Sequence, residues 1–381
     1  EECLALAQQN SLSLKLALVA LDQARLGLKE AKSAQKKLDE AKEEAKEEAK
    51  EFGVSIRASS VDEAFLMDHS VWMAEEQLAL AQASFDLAGE GVRLAVIMAY
   101  QDLLKAEADL AAARAAEAET AELQRVTKAQ ARVGMASPVQ ELQADTALAQ
   151  ARAGRLAAES NREAKRLGLL KELGLDLSTE VRLAPLPVEV VEFDLEQLVQ
   201  DALGKSVEIR AVAFQQEIAA RKFDITKRWY PEITYQYKGA EYEALTKELE
   251  LIDVRINVET GVRSSYNQLL AALEQLAPAE RAVEQAEEAL RVVQAKLKVG
   301  SATGLEVLQA QRALAQAKSN VTTTQGNYIL AAASLKAAAL GLTTTVSSGQ
   351  GLQEVQGSDE LQRQVQGHYA GSHASLRPGG V

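Results

Sequence analysis

Arg132-Val133-Gly134-Met135-Ala136-Ser137-Pro138-Val139-Gln140 recurs as Lys298-Val299-Gly300-Ser301-Ala302-Thr303-Gly304-Leu305-Glu306. Each copy reads as the stop of one helix and the start of the next. A glycine just past a helix end takes the left-handed backbone without a Cβ penalty, which suits Gly134 and Gly300. Arg132 and Lys298 place positive charge against the negative end of the helix dipole. Ser137 and Thr303 can cap the following helix, and Gln140 and Glu306 stand where a capping box needs a side chain reaching back. Pro138 fits a first helical turn, where its missing N–H is not needed. Both stretches therefore predict tight helical hairpin tips.

The copies are 166 residues apart, and the offset holds without a gap over a long span. Tyr100-Gln101-Asp102-Leu103-Leu104 aligns with Tyr266-Asn267-Gln268-Leu269-Leu270, and from Val133 to Arg152, 11 of 20 positions equal their partners. The chain is an internal duplication, so its 381 residues form one architecture of two interlocked halves.

A long helix is expected over Val71 to Arg132, about 90 Å at 1.5 Å per residue, and another over Tyr242 to Lys298 with a kink at Pro278. Return helices follow over Pro138 to Leu173 and Gly304 to Leu340. Spacing such as Leu123, Val126, Gln130, Val133 is the three-four alternation of a coiled-coil seam. Front helices are expected from Asn10 or Ser11 to about Ser33 and from Lys205-Ser206 to about Arg228, now at an offset of 195. The extra residues of the first half include Lys37 to Lys50, a self-supporting Ala/Lys/Glu helix. Short strands are suggested at Phe52, Val54 and Ile56, at Ile233, Tyr235 and Tyr237, and at Val188 to Val191. The expected organisation is a helical repeat over 1–174, an extended linker with Pro185 and Pro187 over 175–204, a second repeat over 205–342 and a disordered tail over 343–381. The fold class is all-α, built of duplicated long antiparallel hairpins with at most short strands.

A net charge of −13 argues against nucleic acid, which calls for clustered Lys and Arg. His69, His368 and His373 make no metal-ligand spacing, Gly89-Glu90-Gly91 has no strand before it, and carboxylates on helix surfaces are ordinarily solvated. The sequence points to no enzyme, no cofactor and no metal. No apolar run approaches the roughly 20 residues of a membrane helix. Cys3 is read as a small apolar residue on the first helix in preference to a lipid anchor. No signal-peptide pattern opens the sequence, as expected of a chain beginning at its mature end.

The duplicated hairpins, the paired Tyr100 and Tyr266 followed by Leu-Leu, the Val-Gly tips and the start Glu1-Glu2-Cys3-Leu4-Ala5-Leu6-Ala7 resemble the TolC-type outer-membrane efflux proteins over about residues 1–342. The resemblance implies an exported protein of the periplasm or cell envelope. It implies a homotrimer forming a helical cylinder whose tips, Val133, Gly134, Met135, Ala136, Ser137 and Val299, Gly300, Ser301, Ala302, Thr303, dock a membrane-fusion adaptor working with an inner-membrane pump. It also implies a pore constriction at the positions of Gln140 and Glu306, although the capping box is the preferred account of both residues. Channel members carry membrane strands, each of about 9–11 residues, and neither half offers room for them here. The expectation is a barrel-less member acting as an efflux component, or alternatively a structural strut of the envelope without transport activity.

Overall fold

The periodicities of the sequence become helices wherever an end signal exists to frame them. The computed structural model describes residues 2–52, 58–184, 188 and 190–341, with side chains of 45–52 not described. Nine helices account for nearly all of them: α1 Glu2–Asn10, α2 Leu12–Phe52, α3 Val61–Arg132, α4 Pro138–Leu173, α5 Leu195–Lys205, α6 Val207–Trp229, α7 Tyr235–Glu274, α8 Leu276–Lys298 and α9 Gly304–Ala339. No strand occurs among the described residues.

The halves repeat each other at the level of single core residues. One cluster joins Ala7 of α1 to Val92, Val96, Leu103, Leu169 and Leu173 of α3 and α4. The other joins Ala202 of α5 to Val258, Val262, Leu269 and Leu335 of α7 and α9. Ala7 and Ala202 keep the 195 offset, while Val92, Val96, Leu103 and Leu169 keep the 166 offset. Small helices α1 and α5 therefore close the same apolar floor over each long hairpin.

Two glycines lock those small helices down. Gly174 ends α4 with φ 64°, and a Cβ there would lie 2.7 Å from Cβ of Asn10 at the α1–α2 junction. Gly341 follows α9 with φ 90°, and a Cβ there would lie 2.5 Å from Cα of Ser206 at the α5–α6 junction. The return helix of each half thus ends against the backbone that leads into the front helix.

Helices α2 and α6 flank α3 toward one end, and α4 and α9 flank it toward the tips; α7 packs on α6 and α9, and α8 on α9. The result is an open helical layer whose unflanked edges are α2 and α7 at one end and α4 and α8 at the other. Ion pairs hold the register: Arg155–Glu117, Arg162–Glu107 and Lys165–Asp102 tie α4 to α3, and Arg312–Glu119 ties α9 to α3.

Several expectations need correction. Helix α3 begins ten residues before Val71 because Ser60 caps it, accepting from the Glu63 backbone N–H, while the Glu63 carboxylate accepts from Ser59 N–H at 2.7 Å. That is a capping box displaced by one residue. The strand expected at Ile233, Tyr235 and Tyr237 is instead a turn holding Ile233 followed by the start of α7: Thr234 accepts from Tyr237 N–H, and Pro231 has already turned the chain. Of the strand expected at 52–56, Phe52 closes α2 and the rest lies outside the described residues; Val188, Val190 and Val191 have no regular structure. The stretch expected as extended linker contains α5, capped by Asp194, which accepts from Glu196 and Gln197 N–H. The kink assigned to Pro278 appears as a break at Gln275, since proline has no N–H and its ring crowds the carbonyl four residues back, Glu274. The tail beyond 341 lies outside the described residues.

Candidate functional site: the two hairpin tips

Each tip is a six-to-one turn followed by a reciprocal cap. At the first, Met135 N–H donates to Gln130 O at 2.8 Å and Gly134 N–H to Ala131 O at 3.0 Å. At the second, Ser301 N–H donates to Lys296 O at 2.9 Å and Gly300 N–H to Leu297 O at 3.0 Å. This is the Schellman arrangement, and it needs φ of 73° at Gly134 and 75° at Gly300. Neither glycine has anything within 4 Å of a would-be Cβ, so backbone conformation alone selects them.

The caps use the residues anticipated. Ser137 Oγ accepts from Gln140 N–H at 3.3 Å, and Gln140 Oε1 accepts from Ser137 N–H at 2.7 Å. Thr303 Oγ1 accepts from Glu306 N–H at 3.2 Å, and Glu306 Oε2 accepts from Thr303 N–H at 3.4 Å. Just above the first tip, Asp145 receives Lys128 at 2.9 Å and Gln124 at 2.7 Å, clamping α4 to α3. Those hydrogen bonds, Lys128 first, hold its carboxyl below the usual aspartate range.

What the turns leave over is apolar and in water. Val133 is 69% exposed, Met135 78% and Val299 78%, while Ala136 and Ala302 are half-buried. None of the hydrogen bonds of the turns and caps uses these side chains. Val139 and Leu142 continue the exposed apolar surface up α4. Sequence reasoning named the turn residues and missed this continuation.

It also missed two seams on the open edges. On α7, Tyr242, Leu245, Leu249, Ile252 and Ile256 are all at least half exposed and alternate by three and four residues. On α2, Leu12, Leu16, Val19 and Leu26 are likewise exposed and keep the same alternation with Gln23 in the one gap. Such spacing was legible, but only the fold reveals that none of the described helices covers it.

Among the described residues no group of three or more His, Cys, Asp or Glu is placed to hold a metal ion. No single helix there is long and apolar enough to cross a membrane.

Comparison with known proteins gives a fold and a domain. Residues 235–341 match the sequence model of the family described as outer membrane efflux protein. Among solved structures, the outer membrane protein VceC of Vibrio cholerae aligns with a TM-score of 0.61 at 18% identity, over 89% of this chain and 95% of that one. The Campylobacter jejuni CmeC outer membrane channel gives 0.64 at 11% identity, over 89% and 85%. The open Neisseria gonorrhoeae MtrE outer membrane channel gives 0.62 at 14% identity, over 90% and 89%. No curated protein matches in sequence.

Proposed function

We propose that the protein, whose residues 235–341 match the outer membrane efflux protein model and whose fold is similar to that of outer membrane channels, is the helical conduit component of an envelope efflux assembly, closed as a homotrimer and docked through its tips to a membrane-fusion adaptor that works with an inner-membrane pump. The observation that carries this reading is the pair of exposed Val-Gly tips, structurally equivalent and apolar beyond what the turns require. An α-helical hairpin of a partner could bury Val133, Met135 and Val299 together.

Ring closure is supported by the unflanked edges. The seam of α7 and the seam of α2 lie on opposite edges of one layer, so one copy's α7 can meet the next copy's α2 in a heterologous contact that closes only if the rotation per copy is right. In such a ring three copies of Glu306 would bring like charges together near the axis and favour cations over anions.

Among the described residues the conduit holds no membrane strand. Residues 53–60 alone connect α2 to α3, and residues 230–234 alone connect α6 to α7. Two membrane strands and a turn need about 20 residues. The same brevity favours, as a second reading, an envelope strut that kept the fold without transport.

The test is a pull-down with an adaptor hairpin against a Val133→Asp/Met135→Asp/Val299→Asp variant. These side chains are exposed and outside the turn hydrogen bonds, so helicity should be unchanged while capture falls at least tenfold. Equal capture of wild type and variant would sink the docking role and leave the strut.

A further inference from the structure

At the end of the layer away from the tips, α6 stops at Trp229 because Pro231 cannot continue it. Thr234 then closes a tight turn, its N–H and Oγ1 both donating to Pro231 O, at 3.0 and 2.7 Å. The turn sorts its large side chains. Tyr237 packs inward on Phe223, ring centroids 5.3 Å apart. Ile233 and Tyr235 are each 95% exposed and Trp229 40%. Lys227, Arg228 and Lys238 flank them with Glu232 as the one acid between, a positive stretch in a chain of net charge −13. Lys227 pairs with Asp224 one turn before it and Lys238 with Glu241 one turn after it, exposed pairs too weak to withdraw the cations from another anion.

We infer that this turn is a lipid-contacting surface: Trp229, Ile233 and Tyr235 enter the headgroup layer of a bilayer while Lys227, Arg228 and Lys238 meet its phosphates. Tryptophan and tyrosine favour that layer because each joins an apolar ring to a polar edge, and lysine and arginine reach outward from it. A convex turn with separated apolar side chains fits a fluid surface, which deforms around it. The local positive charge complements an anionic leaflet. The turn itself is too short to span a bilayer, so the contact proposed for it is interfacial. This attachment is independent of the proposed adaptor docking, which would occupy the other end.

Flotation of the full chain with phosphatidylcholine vesicles, with and without phosphatidylglycerol, tests it. The Trp72→Phe background leaves Trp229 as the sole tryptophan emitter. Wild type should float with vesicles, more so with phosphatidylglycerol, and Trp229 emission should shift to the blue. Ile233→Asp/Tyr235→Asp should float at least tenfold less while keeping its helical circular dichroism. Failure of wild type to float, or equal flotation of the double variant, overturns the proposal. So does a self-association that the double variant abolishes without any vesicle binding, because the occupant is then a second copy.

Discussion

Gly134 and Gly174 share a left-handed backbone, yet replacing them should have different consequences. At Gly134 an added methyl meets nothing, so Gly134→Ala pays only for its φ, about 1 kcal/mol. At Gly174 the same methyl meets Cβ of Asn10 at 2.7 Å, and either α1 or the end of α4 must move. Gly174→Ala should therefore lose about 1–3 kcal/mol more than Gly134→Ala in urea unfolding; equal losses would mean that the α1–α2 junction yields freely. His69 offers a second test. It lies between Phe65 and Trp72, with ring centroids 5.1 and 6.1 Å away, and Arg221 donates to its Nδ1 at 3.4 Å while stacking over Trp72. Burial first, then Arg221, lowers its pKa below the usual 6.5; Arg228 acts the same way, and Asp68 and Glu217 act against them. A depressed histidine pKa favours the neutral form in the folded state. That stability is complete above 6.5 and is lost as pH falls through the folded pKa. Thermal melts of wild type and His69→Gln should thus converge or cross as pH is lowered from about 7.5 to 5; a constant difference would show that His69 does not titrate in the α3–α6 contact.

Among the elements, legibility followed the strength of local end signals. The tips were readable because glycine, cap and reaching side chain coincide twice at one offset. The break in the second long helix was readable from Pro278 to within three residues. Helix α5 was signalled by Asp194 and Gln197, but Pro185 and Pro187 just before it made the whole stretch read as linker. The alternation of Ile233, Tyr235 and Tyr237 imitates a strand, and only the Thr234 cap and the inward packing of Tyr237 decide for helix. The candidate site was half legible: the turns were, whereas the exposed Val139 and Leu142 and the α2 and α7 seams depend on which helices come to lie beside which. The duplicated cores carry a prediction at this scale. Leu103 and Leu269 are 1% and 3% exposed in equivalent positions on α3 and α7. Each Leu→Ala change should remove about 2–5 kcal/mol, and because the two lie in separate clusters the double variant should lose their sum. Strong non-additivity in urea titrations would show that the halves do not pack independently.

At the largest scale, the decisive feature of the described helices is an open layer with apolar seams on its outer edges. Five large side chains on α7 and four on α2 remain in water in a single copy. Burying them between copies supplies a driving force that does not require a membrane barrel, since the contact is helix against helix at coiled-coil spacing. The conduit reading stands on that closure, because tips spread around a ring can engage an adaptor as a set while tips of a single strut cannot. Light scattering after size exclusion without detergent is the most direct measurement. The account predicts a particle of three 41.0 kDa chains that falls to one chain in Leu249→Glu/Ile252→Glu with helicity retained. A wild-type particle of one chain, or a trimer indifferent to the seam substitutions, would contradict it.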